Sequence, residues 1–191
     1  MGMSSNHLEI EHKFLVANDF DVDDFCRRAL KLTPKRAATI EVEDTYFITA
    51  HHPDTIFRHR CDIERQELTV KSRTGADTEI RMEVNLHLDQ SFGNQRDAVT
   101  AFLVPFTITW QGTLHKALQV FYYHDCEVVF YTAVSGEQSV HCVEFEATGH
   151  GGDIKAARAT LQDYETRLGF ANQVRTRSSL FDLLLMPQIA S

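Results

Sequence analysis

Apolar and polar side chains alternate along much of this chain. The alternation is clearest over Thr78–Leu88, where every second residue from Ile80 onward is apolar and its neighbours are polar. Because successive side chains of a β-strand point to opposite faces, this pattern predicts a strand with one apolar and one polar face.

Other segments carry the same strand signal or show helical spacing instead. A first strand is predicted around Leu8–Phe14. Further strands are predicted over Glu41–Thr49, Ile56–Asp62, Glu67–Arg73, Phe106–Trp110, Lys116–His124, Glu127–Val134 and Ser139–Thr148, with a turn at His51–Asp54. Apolar residues at helical spacing predict helices over Asp21–Leu32, Asn94–Leu103, Asp153–Leu168 and Ser178–Met186. About eight strands in mostly hairpin order, with about four helices, indicate an α+β fold built on an antiparallel sheet.

The bulk composition bounds the fold and the partners. With 191 residues and 43% hydrophobic content, the chain is long enough for one globular domain spanning residues 1–191. A net charge of -8 argues against nucleic acid or an anionic membrane as a general partner. No apolar run approaches the roughly 20 residues of a membrane helix, and the four cysteines include no CxxC pair. We therefore expect a soluble, cytoplasmic protein with reduced thiols, and the oligomeric state, a homodimer included, stays open.

Charged side chains recur on one face of several predicted strands. In the first strand Glu9, Glu11 and Lys13 share a face, while Ile10 and Phe14 share the other. By the same parity this ionic face continues in later strands with Arg58, Arg60, Thr69, Lys71, Arg73, Glu79, Arg81, Glu83, Asn85, Glu144 and Glu146. Two carboxylates beside an ammonium suit a metal-bound polyphosphate, because carboxylates can hold Mg²⁺ or Mn²⁺ while a lysine holds a phosphate oxygen.

Parity leaves two arrangements of these faces open. On an open, solvated sheet each ion pair would contribute only about 0 to 1 kcal/mol, and no ligand would be needed. Inside a closed barrel, where eight strands can enclose a small ligand, the charges would be costly to dehydrate and would need water, metal or a multivalent anion to balance them.

A set of short motifs favours the second arrangement, the closed barrel. Glu9-Ile10-Glu11-His12-Lys13 resembles the ExExK signature of the CYTH superfamily, the triphosphate tunnel metalloenzymes, which include inorganic triphosphatases, thiamine triphosphatases and class IV adenylyl cyclases. Five further elements resemble family motifs in order and spacing: Asp44-Thr45-Tyr46-Phe47, Phe57-Arg58-His59-Arg60, Leu68-Thr69-Val70-Lys71, Arg81-Met82-Glu83 and Val143-Glu144-Phe145-Glu146. The segment Ser179–Leu184 is similar to the C-terminal helix of the family.

The resemblance implies a fold and a set of site residues. It implies an eight-stranded antiparallel closed β-barrel, a tunnel with helices packed on the outside, that binds triphosphate together with Mg²⁺ or Mn²⁺. By similarity the metal ligands are Glu9, Glu11, Glu144 and Glu146. The groups that bind substrate phosphate are Lys13, Arg58, Arg60, Lys71, Arg81 and Lys116. The catalytic set is Glu9, Glu11, Lys13, Lys71 and Glu83.

The leading functional hypothesis is metal-dependent hydrolysis of inorganic or nucleoside triphosphate inside the tunnel. A class IV-type adenylyl cyclase and a thiamine triphosphatase are alternatives within the same fold. A triphosphate- or polyphosphate-binding module without turnover is the alternative from another class. Two departures from the family pattern motivate it: Lys116 is not followed by the expected arginine, and Val128–Val134 has no carboxylate unless Asp125 or Glu127 approaches from the hairpin turn.

Overall fold

The computed structural model describes residues 7–72 and 80–189, with the backbone alone at residues 7, 8 and 80–82. Its strands are β1 (His7–Val16), β2 (Arg36–Thr49), β3 (His52–Asp62), β4 (Gln66–Ser72), β5 (Ile80–His87), β6 (Ile108–Tyr122), β7 (Cys126–Ser135) and β8 (Gln138–Ala147). Its helices are α1 (Val22–Lys31), α2 (Arg96–Leu103), α3 (Ile154–Leu168) and a short α4 (Met186–Ile189), preceded by a π-helical turn at Phe181–Leu185. Two 3₁₀ turns, Gln90–Phe92 and Val104–Phe106, complete the elements. The predicted α+β class is confirmed.

All strand pairs are antiparallel, and the strand order is β1-β5-β4-β3-β2-β6-β7-β8. The sheet curls around a lumen, so the tunnel fold is confirmed. The expectation of a fully closed barrel is met only in part, because β1 joins the two ends of the sheet in separate halves. Its residues 7–10 pair with β5 and its residues 11–16 pair with β8. Among the described residues none of β1 is paired on both sides, and residues 73–79, which precede β5, lie outside them.

Two predicted boundaries are wrong for reasons that the pairing shows. The segments Phe106–Trp110 and Lys116–His124 belong to one strand, β6, because β2 is long enough to pair with β6 along its whole length. The predicted turn at His51–Asp54 is instead the start of β3, which begins at His52 opposite Thr49 after a bulge in β2.

The outer face of β1, β6, β7 and β8 carries the largest part of the core. Ile10, Phe14, Val143 and Phe145 face outward there and are almost completely buried. They pack against apolar residues of α1 and α3, namely Phe25, Ala29, Ala157, Leu161 and Leu168. Burying one such side chain contributes about 1.5 to 3 kcal/mol, so this packing holds the helices outside the tunnel and leaves the opposite strand face inward.

The C-terminal residues Leu180–Leu185 pack against inward-facing residues at one end of the tunnel. The Phe181 ring lies 5.9 Å from Tyr46 and 5.6 Å, edge to face, from Trp110. A Cβ at Gly112 would clash with the Trp110 ring, so only glycine lets the indole lie across the inner face of β6. The predicted helix over Ser178–Met186 therefore exists in part, and its apolar side contacts the interior of the sheet.

In the described part of the chain no helix combines the length and the apolar character that crossing a membrane requires.

Candidate functional site

The ionic side chains that parity places on one face point into the lumen wherever the structure describes them; Arg73, Glu79 and the side chain of Arg81 lie outside the described residues. Carboxylates dominate on β1, β7 and β8. Cations dominate on β3 and β6, and β4 carries Lys71 together with Glu67. The two groups share one interior because the sheet curls β1 round to meet both end strands. The tunnel thus has an acidic wall and a basic wall.

The acidic wall brings like charges into direct register. Glu11 is the cross-strand partner of Glu146, and Glu127 is the partner of Glu146 on the other side. Burial, with Glu127 and Glu11 close by, raises the pKa of Glu146 to about 8. Burial also raises the pKa of Glu9 well above its usual range, and Glu11 and Glu146 add to this effect. This wall is short of positive charge.

Lys13 and Glu144 form the centre of a second group. Lys13 Nζ lies 2.8 Å from Glu144 Oε1 and 3.5 Å from Glu11 Oε1. The Tyr131 hydroxyl donates a hydrogen bond of 2.7 Å to the same Glu144 oxygen. Burial alone would raise the pKa of Glu144, but Lys13 and Tyr131 outweigh it and lower that pKa to about 2. Glu144 is therefore an ionised carboxylate that fixes the Lys13 ammonium.

Glu83 plays a comparable part at the boundary between the two walls. It forms an ion pair with Lys71, its cross-strand partner on β4. The Glu9 carboxyl also hydrogen bonds to Glu83, and Arg58 Nη2 lies 4.0 Å from it. Burial would raise the pKa of Glu83, but Lys71 and these neighbours lower it to about 2.

The basic wall is built around buried acceptors. Arg58 Nη2 donates to Glu67 Oε1 at 3.2 Å and to Thr69 Oγ1 at 3.0 Å. Asp44 is fully buried and holds Arg60 and Lys116, both of which were predicted to bind phosphate. This wall therefore places several cations side by side in fixed positions.

The structure brings together the predicted residues whose side chains it describes: Glu9, Glu11, Lys13, Arg58, Arg60, Lys71, Glu83, Lys116, Glu144 and Glu146. The side chain of Arg81 lies outside the described residues, although its backbone pairs with Glu9. The roles of all these residues in binding metal or phosphate stay predictions.

Sequence reasoning missed three inward-facing residues, Glu127, Tyr131 and Asp44. The sequence names Glu127 only as a carboxylate that could approach from the hairpin turn, whereas it is the second residue of β7 and faces Glu146. Tyr131 lies within an apolar run, and only the tertiary structure shows its bond to Glu144. Asp44 belongs to a quoted motif, yet its pairing with Arg60 appears only in the register of β2 with β3.

The donor chemistry of the acidic wall fits a hard divalent cation. Carboxylate oxygens are the ligands that Mg²⁺ and Mn²⁺ prefer. Glu9 Oε2 is buried without a hydrogen-bond partner, so this oxygen could serve as a ligand of such a cation. No three acidic, histidine or cysteine side chains among the described residues already converge on one point, so a metal ion would have to draw Glu9, Glu11 and Glu146 together.

Solved structures share this fold over most of the chain. A protein of Pyrococcus horikoshii is 18% identical at a TM-score of 0.71, covering 92% of this chain and 99% of that one. A candidate adenylyl cyclase from Hippeastrum with a dominant triphosphatase activity is 14% identical at a TM-score of 0.63, covering 94% and 95%. The RNA triphosphatase domain of a mimivirus mRNA capping enzyme is 12% identical at a TM-score of 0.56, covering 87% and 91%. At these identities the likeness shows the fold alone.

The family assignment rests on the sequence itself. No curated protein matches the chain. The CYTH domain matches residues 7–121, which is more than half of the 191 residues and includes the ExExK strand and the basic wall. The chain therefore belongs to the CYTH domain family.

Proposed function

We propose that this protein hydrolyses inorganic triphosphate or a nucleoside triphosphate inside the tunnel, with Mg²⁺ or Mn²⁺ as cofactor, in the cytoplasm. One observation carries the proposal: the lumen joins an acidic wall that is short of positive charge to a wall of fixed cations. A metal-bound triphosphate satisfies both walls at once, because its cation balances the carboxylates and its oxygens meet the lysines and arginines.

The residues of the chain divide the work by charge. Glu9, Glu11 and Glu146 would hold the cation, which when bound neutralises charge on the phosphate oxygens. Arg58 and Lys71 would bind phosphate oxygens. Phosphoryl transfer needs little covalent help from protein, since positioned charges stabilise the transition state and align the nucleophile.

The remaining predicted residues support the same arrangement. Lys13 is held by Glu144 on the acidic wall, and by similarity to the family motif it would bind a phosphate oxygen. Arg60, Arg81 and Lys116 complete the proposed phosphate-binding set. The fold neighbour from Hippeastrum, whose dominant activity is that of a triphosphatase, supports hydrolysis over cyclisation for this chain.

The test compares products and variants in one assay. Phosphate release is measured from inorganic triphosphate, ATP and thiamine triphosphate with Mg²⁺, with Mn²⁺ and with EDTA, beside cyclic AMP and pyrophosphate formed from ATP. We expect phosphate release that needs the divalent cation and that falls at least a hundredfold in Glu11→Gln and Lys71→Ala. Glu41→Gln, which removes an exposed carboxylate of β2, is the matched control and should keep full activity.

Two results would contradict the proposal in different ways. Tight binding of triphosphate by calorimetry without turnover of any substrate would establish a binding module instead. Unchanged turnover in the Glu11→Gln variant would show that the acidic wall is not part of the catalytic site.

A further inference from the structure

Asp44 lies where the two cation-bearing strands of the basic wall meet β2. It is fully buried, and its cross-strand partners are Arg60 on β3 and Leu114 on β6. Lys116 is the next inward-facing residue after Leu114, so its side chain also reaches Asp44. The position of Asp44 in the sheet therefore places one carboxylate between two cations from different strands.

The contacts of Asp44 fix the direction in which both cations point. Arg60 donates from Nε to Oδ1 at 2.8 Å and from Nη2 to Oδ2 at 3.0 Å. Neither bond uses Nη1, so both bonds to Asp44 leave this amino group able to donate to a phosphate oxygen. Lys116 Nζ lies 2.6 Å from Oδ2 and 6.0 Å from the centre of the Tyr131 ring. A paired, bidentate guanidinium has little freedom to turn away.

The same carboxylate decides the charge of Lys116. The charged and titratable groups that act on Lys116 come from every wall around it: Asp44 on β2, Arg58 and Arg60 on β3, Tyr131 on β7 and Glu144 on β8. Burial and the two arginines lower the pKa of Lys116, Asp44 opposes them, and the result is about 8. Without Asp44 nothing on β2 would offset the repulsion from Arg58 and Arg60.

We infer that Asp44 is a positioning residue of the phosphate site: it holds Arg60 and Lys116 side by side and keeps Lys116 charged, acting through them without touching the phosphate. The inference rests on the proposed function, because it assumes that these two cations bind the substrate. It assigns a role to a residue that the predicted site did not include.

The experiment measures binding rather than turnover. The affinity for inorganic triphosphate is determined by calorimetry between pH 6 and pH 9, in EDTA, for the wild type, D44N and D44E. We expect D44N to bind about tenfold to a hundredfold more weakly at pH 7, the range expected for lost charge-assisted contacts. We also expect the pH above which affinity declines to fall from about 8 to a lower value, and D44E to recover part of both effects.

Each outcome has a definite meaning. Equal affinity and an unchanged pH profile in folded D44N would overturn the inference and leave the proposed function intact. Failure of the wild-type protein to bind inorganic triphosphate, alone or with Mg²⁺, would overturn both. A lower affinity at every pH with no shift of the profile would also overturn it, because loss of structure alone predicts that result.

A second pair of variants covers the case in which D44N does not fold. K116M and D44N/K116M are compared, since the double variant removes one anion and one cation together. We expect the double variant to bind at least tenfold more weakly than K116M, because Arg60 has lost its anchor. Equal affinity of the two variants would refute the positioning role.

Discussion

Glu144 and Glu146 lie two residues apart on β8 and face the same lumen, yet neutralising them should change stability in opposite directions. The cause is their neighbours. Glu146 faces Glu11 and Glu127, whereas Glu144 is held by Lys13 and Tyr131. The two substitutions Glu146→Gln and Glu144→Gln therefore test the charge pattern of the acidic wall with nearly identical chemistry.

The size of the stability change on neutralising Glu146 follows from its pKa, which is about 8 in the folded protein against 4.5 for an ordinary glutamate. Each pKa unit corresponds to about 1.4 kcal/mol, so a carboxylate at this position costs the fold up to about 5 kcal/mol. Because the pKa of Glu146 is raised in the folded state, the stabilising contribution of its neutral carboxyl is fully present below pH 4.5. This contribution is lost as the pH rises through 8. Glu146→Gln, which mimics the protonated form, should match the wild type at pH 4.5 and exceed it at pH 8.5.

The stability change on neutralising Glu144 has the opposite sign, because its pKa is lowered from 4.5 to about 2 in the folded protein. Its contribution of up to about 3 kcal/mol is present above pH 4.5 and is lost as pH falls toward 2. Glu144→Gln removes this contribution and leaves the buried Lys13 ammonium without its closest acceptor. We therefore expect Glu144→Gln to be less stable than the wild type at pH 8.5, where Glu146→Gln is more stable.

Urea unfolding followed by circular dichroism, in EDTA at pH 4.5 and pH 8.5, measures both effects, with Glu41→Gln as the control. Shifts of Glu144→Gln and Glu146→Gln in the same direction at pH 8.5 would refute the reasoning. Added Mg²⁺ should stabilise the wild type more than Glu146→Gln, since a ligand that binds only the folded state raises its stability. An equal stabilisation of both proteins by Mg²⁺ would mean that Glu146 does not bind the metal ion.

Two further substitutions test packing away from the acidic wall. Glu165 on α3 is buried, contacts the His12 ring and forms an ion pair with Arg175 at 2.9 Å. Glu165→Gln should lower the free energy of unfolding in urea by about 3 kcal/mol, because the ion pair with Arg175 is lost; an unchanged value would mean that these contacts do not stabilise the fold. Gly112→Ala should destabilise the protein by about 1 to 3 kcal/mol and shift the fluorescence of Trp110, because the added methyl group meets the indole ring; an unaltered emission spectrum would contradict the placement of the indole.

Strand parity predicted much of the site, because alternation is a property of the backbone and needs no tertiary information. Glu9, Glu11 and Lys13 could be assigned to one face from the sequence, and the outward burial of Ile10 and Phe14 confirms that assignment. The curling of the sheet around this face came from the family resemblance, since parity alone allowed an open sheet.

The missed residues share a physical reason. Glu127 lies in the predicted strand Glu127–Val134, but its place opposite Glu146 depends on the register of β7 with β8. The hydrogen bond from Tyr131 to Glu144 joins neighbouring strands. The ion pairs of Asp44 with Arg60 and Lys116 also join different strands. Such contacts join residues far apart in the chain, so no local pattern encodes them.

The divided pairing of β1 has a consequence for the order of folding. The half of β1 that carries Glu11 and Lys13 pairs with β8, whose partners are Glu146 and Glu144, more than 100 residues later in the chain. During synthesis this half of the strand has no β8 partner until almost the whole sheet has been made. Contacts of such long sequence separation form slowly, because the intervening loop must close first. We therefore expect the acidic wall, which joins the first strand to the last two, to be among the last parts of the protein to assemble.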